Sequence, residues 1–172
     1  MRVSPVLIVS AAVVAASTCI ARGALAQPPL LVELIAGPAE FTDDVAIQVR
    51  NKFYDRGNEV LNLRDASKIA VAKVTIQPKA VFPWHTHPGP VLINVIEGDF
   101  VYVLAADCIE RWYSDGQAVV DAGFDNVHTA FNPSATEETV VIATFLGAIG
   151  GQPLTDTNVD APDPSFCPLP NP

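Results

Sequence analysis

The sequence predicts an all-β fold, and three observations lead there. From Val45 onward, short runs rich in Val and Ile alternate with turn clusters at intervals of about ten residues, the spacing of a sandwich or barrel. No stretch of useful length carries apolar residues at helical spacing. No internal repeat or low-complexity region interrupts the pattern before the Pro, Asp and Asn-rich end that follows Gly150. A double-sheet jelly roll suits such a run of short strands.

In chain order, residues 28 to 44 contain the breakers Pro28-Pro29 and Gly37-Pro38 and read as an irregular or edge arm. The expected strands then run Val45 to Tyr54, Glu59 to Leu63, Ser67 to Gln77, Val81 to His85 and Val91 to Ile96. They continue with Asp99 to Ala105, Glu110 to Tyr113, Ala118 to Asp121, Val127 to Phe131 and Glu138 to Leu146. Turn residues separate them at Asp55-Arg56-Gly57-Asn58, Pro88-Gly89-Pro90, Asp115-Gly116 and Asn132-Pro133-Ser134. Glu97-Gly98, between two apolar runs, reads as a tight hairpin. The expected organisation is a signal peptide over 1 to 26, an arm over 27 to 44, a barrel over 45 to 150 and a proline-rich tail over 151 to 172.

Arg2, an apolar run from Val6 to Ala16, and Ala24-Leu25-Ala26 before Gln27 form the pattern of a secretory signal peptide. The apolar core is too short for a membrane span, so cleavage near Ala26 and a secreted or periplasmic protein without a stable membrane anchor are expected. Removing residues 1 to 26 takes away Arg2 and Arg22 and no acid, leaving 8 basic and 19 acidic residues and a formal charge of -11. That balance disfavours nucleic-acid partners and anionic membranes. Of the three cysteines, Cys19 leaves with the signal peptide. Cys108 and Cys167 then form an even pair in an oxidising compartment, and a bridge between them is expected to staple the tail onto the domain.

The chemistry sits on the three histidines of the chain. His85 and His87 alternate in Trp84-His85-Thr86-His87, so an extended backbone points both to one face and Trp84 to the other. His128 comes from another extended segment, and a folded sheet can bring it opposite the pair. Two polar residues alternating on a strand can also be coincidence, and that reading stands beside the metal reading. Imidazole suits Fe, Mn, Zn, Cu or Ni, and three such ligands leave coordination positions open. Binding needs deprotonated rings and is expected to fade as pH falls through about 6.

The surrounding residues resemble the cupin family. His85-Thr86-His87-Pro88-Gly89-Pro90-Val91, six residues and then Gly98 match the spacing of that family's first motif, and His128-Thr129-Ala130-Phe131-Asn132 matches its second. The likeness spans about residues 68 to 147, and is to small secreted bacterial single-domain cupins of the RmlC-like jelly-roll type. It implies a double-stranded β-helix with a mononuclear divalent metal on His85, His87 and His128. Dioxygenase-type or lyase-type chemistry on a small organic substrate is one implied function, and a non-catalytic module holding a metal or small ligand is the other. Exchange of edge strands in a homodimer is a family habit for which residues 28 to 44 are available.

Two departures stand out. Val91 occupies the position of the usual glutamate ligand, and Asp121-Ala122-Gly123-Phe124-Asp125-Asn126 lacks the usual Pro-x-Gly. With no carboxylate the ion keeps its full positive charge, which favours enolate, carboxylate or catecholate ligands. Glu97, Asp99 and Asp125 are the acids considered as replacements. Asn132 either orients the last histidine or ends a strand at the Asn-Pro turn. Tyr102 and Tyr113 are potential proton donors with no partner visible in the sequence. No nucleophile triad, phosphate-cradling loop or nucleotide fingerprint is present.

Overall fold

The computed structural model describes residues 28–52, 58–64, 66–148 and 153–169. The expected signal peptide lies outside them. Strands β1 (Leu30–Glu40), β2 (Ile47–Lys52), β3 (Asn58–Leu63), β4 (Lys68–Ile76) and β5 (Val91–Glu97) come first. They are followed by β6 (Asp99–Leu104), β7 (Glu110–Ser114), β8 (Ala118–Asp121), β9 (His128–Phe131) and β10 (Thr139–Leu146). One sheet has the order β1-β4-β10-β5-β8, a second β7-β6-β9, and β2 pairs with β3. The expected strand from Val81 to His85 is reduced to single bridges, Val81 to Phe131 and His85 to His128, which place this segment beside β9. From β4 onward the chain passes back and forth between two facing sheets, with only β6 and β7 following one another within one sheet, the winding of a double-sheet jelly roll. Among the described residues no helix is long and apolar enough to cross a membrane.

One sequence expectation changes, and one left open is decided. The Glu97-Gly98 turn is not a hairpin, because β5 pairs with β10 and β8 while β6 pairs with β7 and β9. It is the corner where the chain leaves one sheet for the other. Gly98 takes φ +76° there, and a Cβ on it would lie 2.6 Å from the Glu138 carbonyl oxygen. Residues 28 to 44, left open as an irregular or edge arm, take the edge alternative and supply a long edge strand. β1 runs antiparallel to β4 from Leu30 opposite Ile76 to Glu40 opposite Lys68, with irregularities around Ala36 and Ala39. Gly37-Pro38 thus bends the strand without ending it, as an edge position tolerates a residue that cannot donate to a ladder.

Strand periodicity builds the interior. Ala70, Ala72, Val74 and Ile76 of β4, with Val91, Ile93 and Val95 of β5, face Phe100, Tyr102 and Leu104 of β6 across the barrel. The alternate residues Val101 and Val103 are buried too, on the outer face, together with Phe131 and Cys167. Val81, Trp84 and Cys108 pack on them, and the tail adds Cys167, joined to Cys108 by a disulfide with an S–S bond of 2.08 Å. Trp84 packs in this outer layer, on the face opposite His85, as its phase required.

Candidate metal centre

The three histidines meet inside the barrel. His85 and His128 are opposite one another in the antiparallel bridge, each backbone N–H donating to the other's carbonyl at 2.9 Å. Paired residues point to one face, and the two-residue period adds His87. Ring centroids lie 4.1 Å apart for His85 and His128, 4.9 Å for His85 and His87, and 5.1 Å for His87 and His128. One nitrogen of each ring lies within 4.8 Å of the others, and all three side chains are buried.

Each ring is oriented by a backbone carbonyl. Nδ1 lies 2.8 Å from the Pro83 oxygen in His85, 2.7 Å from that of Leu154 in His87 and 3.2 Å from that of Asn126 in His128. A carbonyl can only accept, so Nδ1 carries the proton and Nε2 is left with its lone pair free. Burial lowers all three pKa values from 6.5 to about 4, with the neighbouring rings adding to the fall for His85 and His87. Three neutral imidazoles are the result, the form in which histidine ligates a metal.

A fourth group was missed in the sequence. Asp121 closes β8 with no exposed surface, and it is the cross-strand partner of Val91. Its Oδ1 accepts from the Tyr102 hydroxyl at 3.0 Å and from the Gly123 N–H at 3.1 Å. Its Oδ2 lies 3.5 Å from His87 Nε2 and accepts no hydrogen bond among the described residues. Burial pushes this carboxyl above the usual range, against the opposing pull of His87 and of its hydrogen bonds to Gly123 and Tyr102. The signal was the strand phase: Val119 and Asp121 share the inward face of β8, and an acid at an inward position is rare without a partner. The acids weighed from the sequence are elsewhere. Glu97, Asp99 and Asp125 are all exposed, and Asp99 accepts from Ser114 at 2.7 Å.

Other candidates resolve similarly. Asn132 serves the turn, its Nδ2 donating to the carbonyls of Ile76 at 3.0 Å and Glu137 at 2.8 Å while its Oδ1 accepts from the Ser134 N–H at 2.9 Å. Tyr102 has the partner the sequence could not show, Asp121, and its ring sits 5.1 Å from that of His128. Tyr113 is a partly buried packing residue.

The histidines line a cavity of about 120 Å³. Ala72, Ala130 and Ala143 line it too, and their small side chains leave this space in an otherwise packed interior. Val32 and Thr155, both exposed, mark its mouth between β1 and the tail. Three neutral imidazoles with their Nε2 lone pairs free, and one nitrogen of each ring within 4.8 Å of the others, fit a divalent cation in donor chemistry.

No protein-family model and no curated protein matches the chain. Similar solved structures include KdgF from Halomonas sp., at 17% identity over 72% of this chain and 84% of that one, with a TM-score of 0.48. An RmlC-like cupin from Shewanella frigidimarina is 16% identical over 69% of this chain and 86% of its own, with a TM-score of 0.42. The polyketide cyclase RemF from Streptomyces resistomycificus is 18% identical over 56% and 64%, with a TM-score of 0.44. These are partial likenesses, and the strand order decides the matter. The fold is the double-stranded β-helix of the cupins. The cupin likeness read in the motifs and the jelly-roll winding coincide over β4 to β10.

Proposed function

We propose that this chain is an exported single-domain cupin that binds one divalent transition metal through His85, His87 and His128 and acts on a small organic substrate in dioxygenase-type or lyase-type chemistry. The observation that carries the metal reading is the shared anchoring of the three Nδ1 atoms on backbone carbonyls, which leaves three Nε2 lone pairs free in a cluster where one nitrogen of each ring lies within 4.8 Å of the others. An ion held there supplies Lewis acidity and, if redox-active, a place for oxygen. The apolar walls keep bulk water from the site and leave room for a small substrate body. Its anionic head, an enolate, carboxylate or catecholate, would face the histidines. Tyr102 holds its phenolic proton against Asp121 Oδ1, within the same buried group.

A second reading, a binding module without turnover, is favoured by the wall itself. Beyond the histidines, only Tyr102 and Thr155 among the described residues bring polar side chains to the lining. Metal analysis of the purified protein, followed by oxygen uptake and anaerobic product analysis across enolic, phenolic and carboxylic compounds, separates the two. Turnover that disappears in the His85, His87 or His128 alanine variants supports the enzyme. Stoichiometric metal with ligand binding and no turnover supports the module.

Export is proposed from the pattern of residues 1 to 26, and the Cys108–Cys167 bridge fits an oxidising compartment. A homodimer is proposed through β1, the outermost strand of its sheet, which exposes Leu31, Val32, Leu34 and Ile35.

A further inference from the structure

We infer that Asp121 is the fourth ligand of this centre, a carboxylate delivered from β8 to replace the one that Val91 cannot supply. The inference rests on the three-histidine reading and adds its anionic member. Because Val91 and Asp121 are paired residues on adjacent strands, their side chains leave the sheet on the same face about 5 Å apart at Cβ. An acid moved from one to the other still faces the histidines.

Three observations support a ligand rather than a structural acid. First, the 3.5 Å between Asp121 Oδ2 and His87 Nε2 is close to the separation of two ligand atoms on one ion. Atoms about 2.1 Å from a tetrahedral ion lie about 3.4 Å from each other. Second, Oδ1 accepts from the Tyr102 hydroxyl and the Gly123 N–H and lies 3.5 Å from His128 Nδ1, so the carboxylate cannot turn freely and Oδ2 is left facing His87. Third, Oδ2 is fully buried and unpaired among the described residues, an arrangement that native proteins avoid unless something absent from the protein atoms completes it.

The local backbone is built to hold this acid in place. Gly123 has φ +64°, and a Cβ there would strike the Gly89 carbonyl, so glycine alone lets the loop after β8 close on the turn after His87. Phe124 N–H donates to the His87 carbonyl at 2.7 Å, and the Thr86 hydroxyl donates to the Phe124 carbonyl. Asp121 and His87 are therefore positioned by one laced pair of loops.

The chemical consequence is a site of three neutral nitrogens and one anionic oxygen. Its net charge with a divalent ion falls from +2 to +1, and the harder oxygen donor favours Fe(II), Mn(II) or Zn(II) over Cu(I). An anionic substrate head is still attracted, and the metal-bound form with a monoanion becomes neutral, which suits the apolar cavity.

The test measures Zn(II) and Mn(II) affinity by chelator competition in the full chain and in variants. Asp121→Asn keeps the shape and an acceptor for Tyr102 and Gly123 while removing the charge. Its affinity should fall more than about a hundredfold, beyond the range of 10–100-fold expected for losing a partner outside the coordination sphere. Adding Val91→Glu to that variant should restore binding, since the new carboxylate stands on the neighbouring strand at the same level. Should Asp121→Asn fail to fold, a crystal structure of the Zn(II)-loaded unaltered protein decides: Oδ2 at about 2.0–2.2 Å from the ion supports the inference. An Oδ2 separated from the ion by water overturns it. Unchanged affinity in Asp121→Asn with affinity lost in His128→Ala overturns this inference and leaves the three-histidine reading standing. Unchanged affinity in both overturns the two together.

Discussion

Two of the three histidine anchors are local: Pro83 holds His85 and Asn126 holds His128, each from two residues back. That made the histidine cluster legible, because a two-residue period and a short carbonyl contact depend only on extended backbone. The third anchor comes from Leu154, 67 residues away, and Asp121 enters through the pairing of β8 with β5. Neither leaves a local trace, so the fourth donor was sought among exposed turn acids, Glu97, Asp99 and Asp125. Asn132 shows how the same accounting separates stability from binding. Its three side-chain hydrogen bonds, one buried and two partly buried, join the end of β4, the turn and residue 137, so Asn132→Ala should destabilise the fold by about 3 kcal/mol. Metal affinity in the folded fraction should hardly move. His128→Ala should do the reverse, abolishing metal binding. Urea unfolding and metal titration of both variants check the crossing pattern; parallel losses in both assays would mean that Asn132 reaches the centre after all.

The tail is the element that joins stability to the site. Asp156 and Thr86 exchange two backbone hydrogen bonds at 2.9 Å, the Leu154 carbonyl orients His87, and Cys167 is bridged to Cys108. Closing a loop of 59 residues contributes about 4 kcal/mol by chain-entropy arithmetic. Cys167→Ser should therefore lower the melting temperature, and by loosening the Leu154 anchor it should also weaken metal binding by about tenfold. Thiol titration of the unaltered protein under denaturing conditions should find no free Cys108 or Cys167. A Cys167→Ser protein with unaltered metal affinity would show that Leu154 stays in place without the staple. On the opposite wall, Ala143 lines the cavity from β10. Ala143→Phe should fill that space at a cost of about 1–3 kcal/mol, keeping metal binding while excluding organic ligands. Ligand titration of the metal-loaded variant reads this directly.

At the scale of the whole molecule, periodicity disclosed nearly every strand but not which strands are neighbours. Apart from Val81 to His85, which forms only single bridges, the runs from Ser67 to Leu146 fell where β4 to β10 lie, since alternation is written in the local sequence. The misread hairpin at Glu97-Gly98 is an error of pairing, and the length of β1 was left open for the same reason, since pairing depends on partners far along the chain. The same buried centre also governs how the molecule as a whole responds to acid. The three imidazoles have native pKa values near 4 against 6.5 when unfolded, so between those values the unfolded chain binds more protons. Their contribution is complete above about pH 6.5 and is lost as pH falls toward 4. Asp121, raised by burial, works in the opposite sense, its contribution being full below 3.8 and lost as pH rises, but one group faces three. Metal-free protein should therefore lose thermal stability steadily from about pH 6.5 to 4.5. Metal binding to the native state should persist below pH 6, in place of the fading expected for unperturbed rings, because protons compete for the folded imidazoles only near pH 4. Melting curves with and without Zn(II) across this range test both statements. A metal-free melting temperature that stays flat down to about pH 4.5 would mean that the rings titrate alike in both states, and that the barrel does not hold them neutral.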